Sequence, residues 1–142
     1  MDVLNKVQRH KNMSHIRSKN TKSEIKLRKA LWHLGIRYRK NFKLLLGKPD
    51  IVITRCRIVI FVDGDFWHGR NFSAIDKRID VNHDFWINKL KHNMERDAYV
   101  NETLTEQGWL VLRFWDSEVK KDLNGCLRTI MNYLPVSPRN KV

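Results

Sequence analysis

DIVITRCRIVIFVD, residues 50–63, contains two apolar runs from which the central strands are predicted. Both runs are rich in Ile and Val, which favour strands, and neither shows the alternation of a half-exposed strand, which indicates burial on both faces. The short link at Arg55 and Cys56 predicts an antiparallel hairpin. Facing residues in this hairpin have numbers that sum to about 111–113, so Asp50 and Asp63 are predicted to lie within one register step at its open end.

Helices and two further strands are predicted on either side of the hairpin. Thr21 and Glu24 form a capping-box pattern, apolar residues follow at helical spacing, and Gly35 is placed to end that helix. Asp84 is placed to cap a second helix, which Gly108 ends. The predicted order is a helix over 21–34, a strand over 36–42, the hairpin, a long loop over 64–83, a helix over 84–107, a strand over 109–115 and a helix over 116–134. This order is typical of an α/β domain with a mixed central sheet flanked by helices.

Length and composition narrow the class of protein. The 142 residues suit one domain of ordinary size, and a 42% hydrophobic fraction excludes a fully disordered chain. No apolar run approaches the roughly 18 residues of a membrane span, and the amino terminus lacks the apolar stretch of a signal peptide. Cys56 and Cys126 form no CxxC pair, so neither a disulfide framework nor a zinc ribbon is expected. We therefore expect a cytoplasmic protein that does not associate with a membrane.

Positive charge is concentrated at the amino-terminal end. The chain has 28 Lys and Arg against 15 Asp and Glu, a formal net charge of +13. Residues 1–43 carry +11 of this charge and the remaining 99 residues carry +2. A basic arm before a near-neutral domain is typical of a polyanion binder, and nucleic acid is favoured over a ribosomal-type or membrane-surface role. We therefore divide the chain into a basic DNA-binding arm over 1–20, a domain over 21–134 and a basic tail over 135–142.

Carboxylates and a histidine form the candidate site. Asp50 and Asp63 would repel each other at the hairpin end unless a cation or a proton lay between them, and carboxylates are ligands suited to Mg²⁺ or Mn²⁺. The alternative is that Asp63-Gly64-Asp65 is only a polar turn. His68 follows closely, and a neutral imidazole there could accept a proton from water or serve a structural role.

Two more carboxylates lie on apolar helix faces. Asp97 falls on the stripe of the long helix and needs a partner, either a structural ion pair with Arg113 or a histidine that it orients. Glu24 begins the apolar face of the first helix, where a capping box alone also explains it.

Three aromatic residues share the loop with the histidine: Phe66, Trp67 and Phe72. Basic residues accompany them, and the combination suits stacking on bases or wedging between base pairs. Filling of the protein core is the alternative.

Several segments together resemble a known nuclease family. Lys48-Pro49-Asp50-Ile51-Val52 is similar to the first half of the PD-(D/E)xK nuclease signature. VDGDFWHG at 62–69 and NMERD at 93–97 are similar to the two most diagnostic stretches of the very short patch repair endonucleases. KNMS at 11–14 and IRSKNT at 16–21 resemble the opening of that family, and the resemblance extends over residues 9–116.

This resemblance implies a restriction-endonuclease-like fold with an αβββαβ core and Mg²⁺-dependent nicking of duplex DNA next to a T·G mismatch. By their match to the family's motifs, Asp50 binds the metal, His68 acts on the attacking water, Asp97 orients His68, and Glu24 lies near the metal-bound waters. The residues implied in DNA binding are Lys11, Arg17 and Lys19 of the arm and the aromatic residues Phe66, Trp67 and Trp86.

The chain departs from the family pattern in the loop around FWH. Well-known members hold a structural zinc there with Cys and His, whereas this chain has Asp65, Arg70 and Phe72, so no structural zinc is expected. The second metal ligand is expected from the backbone carbonyl of Val62 or from the carboxylate of Asp63 or Asp65. The lysine of the wider superfamily's motif has no match, which increases the demand on the histidine.

Two other functions remain open at this point. One is a restriction-type endonuclease that cuts both strands of an intact site, for which dimer formation would be expected. The other is a DNA-binding protein without catalysis. The favoured interpretation is a monomer acting on mismatched double-stranded DNA at the bacterial nucleoid, with a mismatch-repair protein as a candidate partner.

Overall fold

A computed structural model describes residues 21–134, so the predicted arm and tail lie outside the described residues. The helices are Lys22–His33 (α1), Phe72–Arg78 (α2), His83–Glu106 (α3), Asp116–Lys121 (α4) and Leu123–Tyr133 (α5). The strands are Arg39–Lys40 (β1), Ile51–Ile53 (β2), Ile58–Asp63 (β3) and Leu110–Trp115 (β4).

The strands form one mixed sheet in the order β1-β2-β3-β4, which confirms the predicted α/β class. β1 and β2 pair antiparallel, as do β2 and β3, whereas β3 and β4 pair parallel. The predicted hairpin is confirmed in register, because Ile51 faces Ile60. The amide of Asp50 extends the ladder by donating to the carbonyl of Ile60 at 3.1 Å. Thr54–Cys56 form a short 3₁₀ turn between the two strands.

Helices cover both faces of this sheet, as the lack of alternation in β2 and β3 predicts. On one face, Ile51 and Ile60 pack with residues of α1, α4 and α5 around the fully buried Leu27. On the other face, Val52, Val59 and Phe61 pack with Val100 and Leu104 of α3. The carboxyl end of β3 therefore lies between α1 and α3, and this end carries the predicted acidic residues.

The first of the differences from prediction concerns β1. The predicted strand over 36–42 is a strand only at Arg39–Lys40, since Asn41 has a positive φ of 49° that interrupts the extended chain. The amides of Asn41 and Phe42 still donate to the carbonyls of Asp50 and Pro49. Glycines end the first and long helices as predicted, because Gly35 and Gly108 take positive φ values directly beyond them.

The loop and the last helix also differ from prediction. The predicted loop over 64–83 contains α2, and α3 begins after Asn82 rather than with Asp84 as its cap. The predicted last helix is two helices, because Asp122 leaves helical geometry with φ −142° and ψ 61°. No helix within residues 21–134 has both the length and the apolar composition needed to cross a membrane.

Candidate active site

Asp50 and Asp63 lie buried at the open end of the hairpin, with 8% and 6% of their surface exposed. One carboxylate oxygen of Asp50 accepts a hydrogen bond from the amide of Val62 at 2.7 Å. The N–H and C=O of one residue point to the same side of an extended strand. The Val62 carbonyl is therefore directed to the Asp50 side of β3.

Glu24 forms an acidic pair with Asp50 from the α1 side. Its amide donates to the hydroxyl of Thr21 at 3.3 Å, which confirms the predicted cap, while its buried carboxylate lies 3.5 Å from Arg28. Burial and then the charge of Glu24 raise the pKa of Asp50 from 3.8 to about 7, against the hydrogen bond from Val62. A divalent cation would relieve this repulsion, so the oxygen donors present fit a hard metal ion.

His68 and Asp97 form a hydrogen-bonded pair on the α3 side. Nδ1 of His68 lies 2.5 Å from a carboxylate oxygen of Asp97 and 3.7 Å from one of Asp63. Burial lowers the pKa of His68, but the hydrogen bond to Asp97 and the charges of Asp63 and Asp97 outweigh burial and raise the pKa above 6.5. With Nδ1 facing Asp97, Nε2 is the ring nitrogen that can accept a proton.

Arg113 connects the carboxylates on this side of the site. Its Nη1 lies 3.0 and 3.1 Å from the two oxygens of Asp63 and 3.6 Å from Asp97, while its Nε donates to Asn101 at 2.6 Å. Both alternatives for Asp97 thus hold at once, since it contacts Arg113 and His68. Potential ligand atoms of Asp63, His68 and Asp97 lie within 4.8 Å of one another, and the guanidinium already supplies a cation to two of them.

The helix α3 holds the backbone of the FWH segment as well as its histidine. The side-chain amide of Asn93 donates to the carbonyl of Trp67 at 2.9 Å, one helical turn before Asp97. Sequence reasoning assigned no role to Asn93. Its spacing of four residues from Asp97 places both side chains on one helix face and could have revealed it.

Asp65, Arg70 and Ser117 form a hydrogen-bonded cluster, here called the loop clasp, between the FWH segment and α4. The Asp65 carboxylate accepts from the Ser117 hydroxyl at 2.5 Å, from the Ser117 amide at 3.1 Å and from Arg70 at 3.1 Å. Arg70 also donates to the Ser117 hydroxyl at 2.6 Å. Two of the three positions where the family pattern has zinc ligands are thus bonded to each other, and the third, Phe72, begins α2. Ser117 was missed because it lies 52 residues from Asp65 in the chain.

The aromatic residues form one cluster beside the clasp. Phe66, Trp67 and Trp86 lie with ring centroids 5.1 to 6.1 Å apart, and Phe85 is 5.2 Å from Trp86. Phe66 and Phe85 are 37% and 59% exposed, whereas Trp86 is buried at 7% and Trp67 is half-buried. Sequence reasoning missed Phe85, although the dipeptide FW occurs at both 66–67 and 85–86.

Comparison with known proteins identifies the family. The sequence model described as DNA mismatch endonuclease Vsr matches residues 1–74. The chain belongs to the DNA mismatch endonuclease Vsr family. This confirms the resemblance to the very short patch repair endonucleases, and the Vsr family membership makes the chain a DNA endonuclease.

Relatives of the Vsr family align with most of the chain. The type II nicking enzyme V.HpaIIP of Haemophilus parainfluenzae is 46% identical over 86% of this chain and 87% of its own length. The type II nicking enzyme V.NmeDIP of Neisseria meningitidis serogroup C is 43% identical over 92% of this chain and 88% of its own. DNA mismatch endonuclease Vsr of Escherichia coli is 35% identical over 84% of this chain and 76% of its own.

Proposed function

We propose that this DNA endonuclease nicks one strand of duplex DNA beside a T·G mismatch, using Mg²⁺ bound at Asp50. One observation carries the proposal: an acidic pair suited to a metal, Glu24 and Asp50, flanks the same strand end as a histidine–carboxylate pair suited to proton transfer, His68 and Asp97. The relatives named as nicking enzymes and as a mismatch endonuclease favour the same reaction.

The metal is assigned to the Asp50 side of β3. Asp50 would bind it directly, with the Val62 carbonyl as a second ligand and Glu24 acting through water. Asp63 adds negative charge nearby, but both of its oxygens contact Arg113, which favours Val62 for the second position. Mg²⁺, for which Mn²⁺ can substitute, stabilises charge on the scissile phosphate and the leaving 3′ oxygen when bound.

Proton transfer is assigned to His68. Nε2 accepts the proton of the attacking water while Nδ1 donates to Asp97. The negative carboxylate of Asp97 stabilises the imidazolium that forms and keeps the ring in one orientation. No lysine is needed for this step.

DNA binding is assigned to the basic arm and the aromatic cluster. Lys11, Arg17 and Lys19 would contact phosphates, which gives affinity without sequence preference. Phe66 and Trp67, supported by Trp86, would wedge into the base stack, where a mismatch costs least to open.

A single nick requires one active site, so a monomer suffices, and the loop clasp needs no structural zinc to hold the FWH segment. We also propose that the enzyme is cytoplasmic and nucleoid-associated, with a mismatch-repair protein as its partner.

The test measures cleavage of four duplexes of one sequence: a matched duplex, a T·G duplex, a methylated matched duplex and a matched duplex already nicked on the opposite strand. We expect Mg²⁺-dependent nicking of one strand of the T·G duplex only, with Asp50→Asn inactive and still bound to DNA. Cleavage of both strands of the matched duplex would instead assign a restriction-type enzyme. Binding without cleavage of any duplex by the parent protein would contradict the proposal.

A further inference from the structure

Arg113 reaches the site because of the parallel pairing of β3 with β4. It lies opposite Phe61 in the register, and its guanidinium carbon is 4.1 Å from the centre of the Phe61 ring. Phe61 and Asp63 are two residues apart and share the sheet face that α3 covers. Arg113 is therefore held on that face, between Asp63 on its own sheet and Asp97 on the helix.

Two carboxylates compete for one ring nitrogen at this point. Nδ1 of His68 lies 2.5 Å from Asp97 and 3.7 Å from Asp63, and one N–H can donate well to only one of them. Arg113 contacts both oxygens of Asp63 at 3.0 and 3.1 Å, and its single contact with Asp97 is longer, at 3.6 Å. The guanidinium thus satisfies Asp63 more completely than Asp97.

We propose that Arg113 is a positioning residue that commits His68 to Asp97, by occupying the carboxylate of Asp63 that would otherwise compete for Nδ1. This inference rests on the proposed role of His68 as the base. The ring then carries its proton on Nδ1 and presents the Nε2 lone pair to water. Without Arg113, Asp63 and Asp97 share the ring, and Nε2 has no single direction.

The shape of the arginine side chain matters as well as its charge. Nη1 faces Asp63 while Nε donates to Asn101 at 2.6 Å, and the flat group stacks on Phe61. A lysine would supply one charge without this planar fork, so Arg113→Lys should preserve only part of the effect.

Arg57 offers a matched control. It also joins β3 to the region of α3, because it donates to the carbonyls of Gln107 and Gly108 at 2.8 and 3.2 Å and stacks on Trp109 at 4.6 Å. Arg57 precedes β3, at the opposite end from Asp63. Arg57→Met therefore reproduces the loss of a stacked, hydrogen-bonded arginine without touching the site.

The test reads the hydrogen bond of His68 directly, from the Nδ1 proton resonance in proton–nitrogen NMR of histidine-labelled full-length protein at about pH 9, where imidazole is neutral. We expect the parent and Arg57→Met to show a sharp, strongly downfield Nδ1 proton, because one short hydrogen bond joins it to Asp97. Arg113→Met should show this resonance shifted upfield and broadened, because Asp63 and Asp97 then share the proton. Arg113→Lys should lie between them. Asp63→Asn/Arg113→Met should recover the downfield Nδ1 resonance, because the competing charge is gone.

A single-turnover cleavage assay at saturating protein provides the second readout. Arg113→Met should lower the rate about 100-fold, the loss typical of a misdirected catalytic group, with its DNA Kd changed less than about threefold. An unchanged Nδ1 proton resonance in Arg113→Met, or a double variant no better than Arg113→Met, would overturn the inference. If the parent protein cleaves no DNA, the proposed function fails, whereas the Nδ1 proton resonance still decides the role of Arg113.

Discussion

At the scale of single residues, Asp50 carries a cost in stability that serves the site. Its pKa is raised from 3.8 to about 7 by burial and by Glu24, so the folded protein binds its proton more tightly than the unfolded chain does. Because the charged carboxylate is disfavoured in the folded protein, the raised pKa destabilises the fold at pH values above 7. This destabilisation is lost as the pH falls towards 3.8.

Asp50→Asn should therefore raise the free energy of unfolding at pH 8 without metal, by up to about 4 kcal/mol, and change it little near pH 4. Urea unfolding at the two pH values measures the difference, with Asp80→Asn on the exposed surface as control. Mg²⁺ should stabilise the parent and not the variant. A variant less stable than the parent at pH 8 would show that Asp50 is not under this repulsion.

His68 should set the acidic limb of the pH–rate profile. A base must be unprotonated, so single-turnover nicking should rise with pH through the pKa of His68, which lies above 6.5 because Asp97 and Asp63 outweigh burial. Asp97→Asn removes a negative charge from Nδ1, so the limb should move to lower pH while the maximal rate falls about 100-fold or more. An unmoved limb would assign it to another group.

At the scale of elements, prediction succeeded where the signal is local. The hairpin register follows from a short link between two apolar runs, and Gly35 and Gly108 end helices by their positive φ. The break between α4 and α5 was missed because apolar spacing continues across it. Asp122 ends one helix and caps the next, so it needs no glycine or proline to mark the break.

The cap at Asp122 has a measurable value. Its carboxylate accepts from the amide of Gly125 at 3.0 Å, so Asp122→Ala should lower the free energy of unfolding by about 1 kcal/mol. Asp122→Asn retains an oxygen acceptor and should stay within a few tenths, on the order of 0.3 kcal/mol, of the parent. Asn124→Ala is the control for substitution by alanine, because Asn124 is exposed and lies two residues after Asp122. Equal losses of unfolding free energy for Asp122→Ala and Asn124→Ala would show that the cap does not stabilise the fold.

The site divides in the same way into local and distant parts. Asp50, His68 and Asp97 belong to short motifs, so the sequence indicated them. The contacts of Arg113 with Asp63, and of Ser117 with Asp65, join residues about 50 positions apart through the parallel pairing of β3 and β4. A hydrophobic pattern predicts that β4 is a strand but not which residue of β3 it faces.

At the scale of the whole molecule, the charge division predicts how the arm contributes. Deleting residues 1–19 removes five cationic side chains, so the slope of log affinity against log salt should fall by up to about 4.5. Affinity should fall equally for matched and T·G duplexes, because phosphates carry no sequence information. Fluorescence anisotropy across a salt series measures both. A selective loss for the T·G duplex would place mismatch reading in the arm.

Loss of the aromatic cluster should change DNA binding differently from loss of the arm. Trp67→Ala removes a stacking surface worth about 1–3 kcal/mol per base, so preference for the T·G duplex should weaken while the salt slope stays constant. Since Trp67 is half-buried, thermal unfolding must accompany the binding measurement, and the more exposed Phe66→Ala separates stacking from stability. Preference retained in both folded variants would exclude the cluster from mismatch reading.

The parallel pairing of β3 with β4 also orders events during protein synthesis. A ribosome releases the hairpin first, but Arg113 and Ser117, which hold Asp63 and Asp65, emerge about 50 residues later. The helix α1 is likewise synthesised before α4 and α5, against which it packs. A chain that ends before β4 thus carries Asp63 and His68 without the arginine that we propose positions them. We therefore expect a nascent chain to cleave DNA poorly until β4 and the helices after it have been translated.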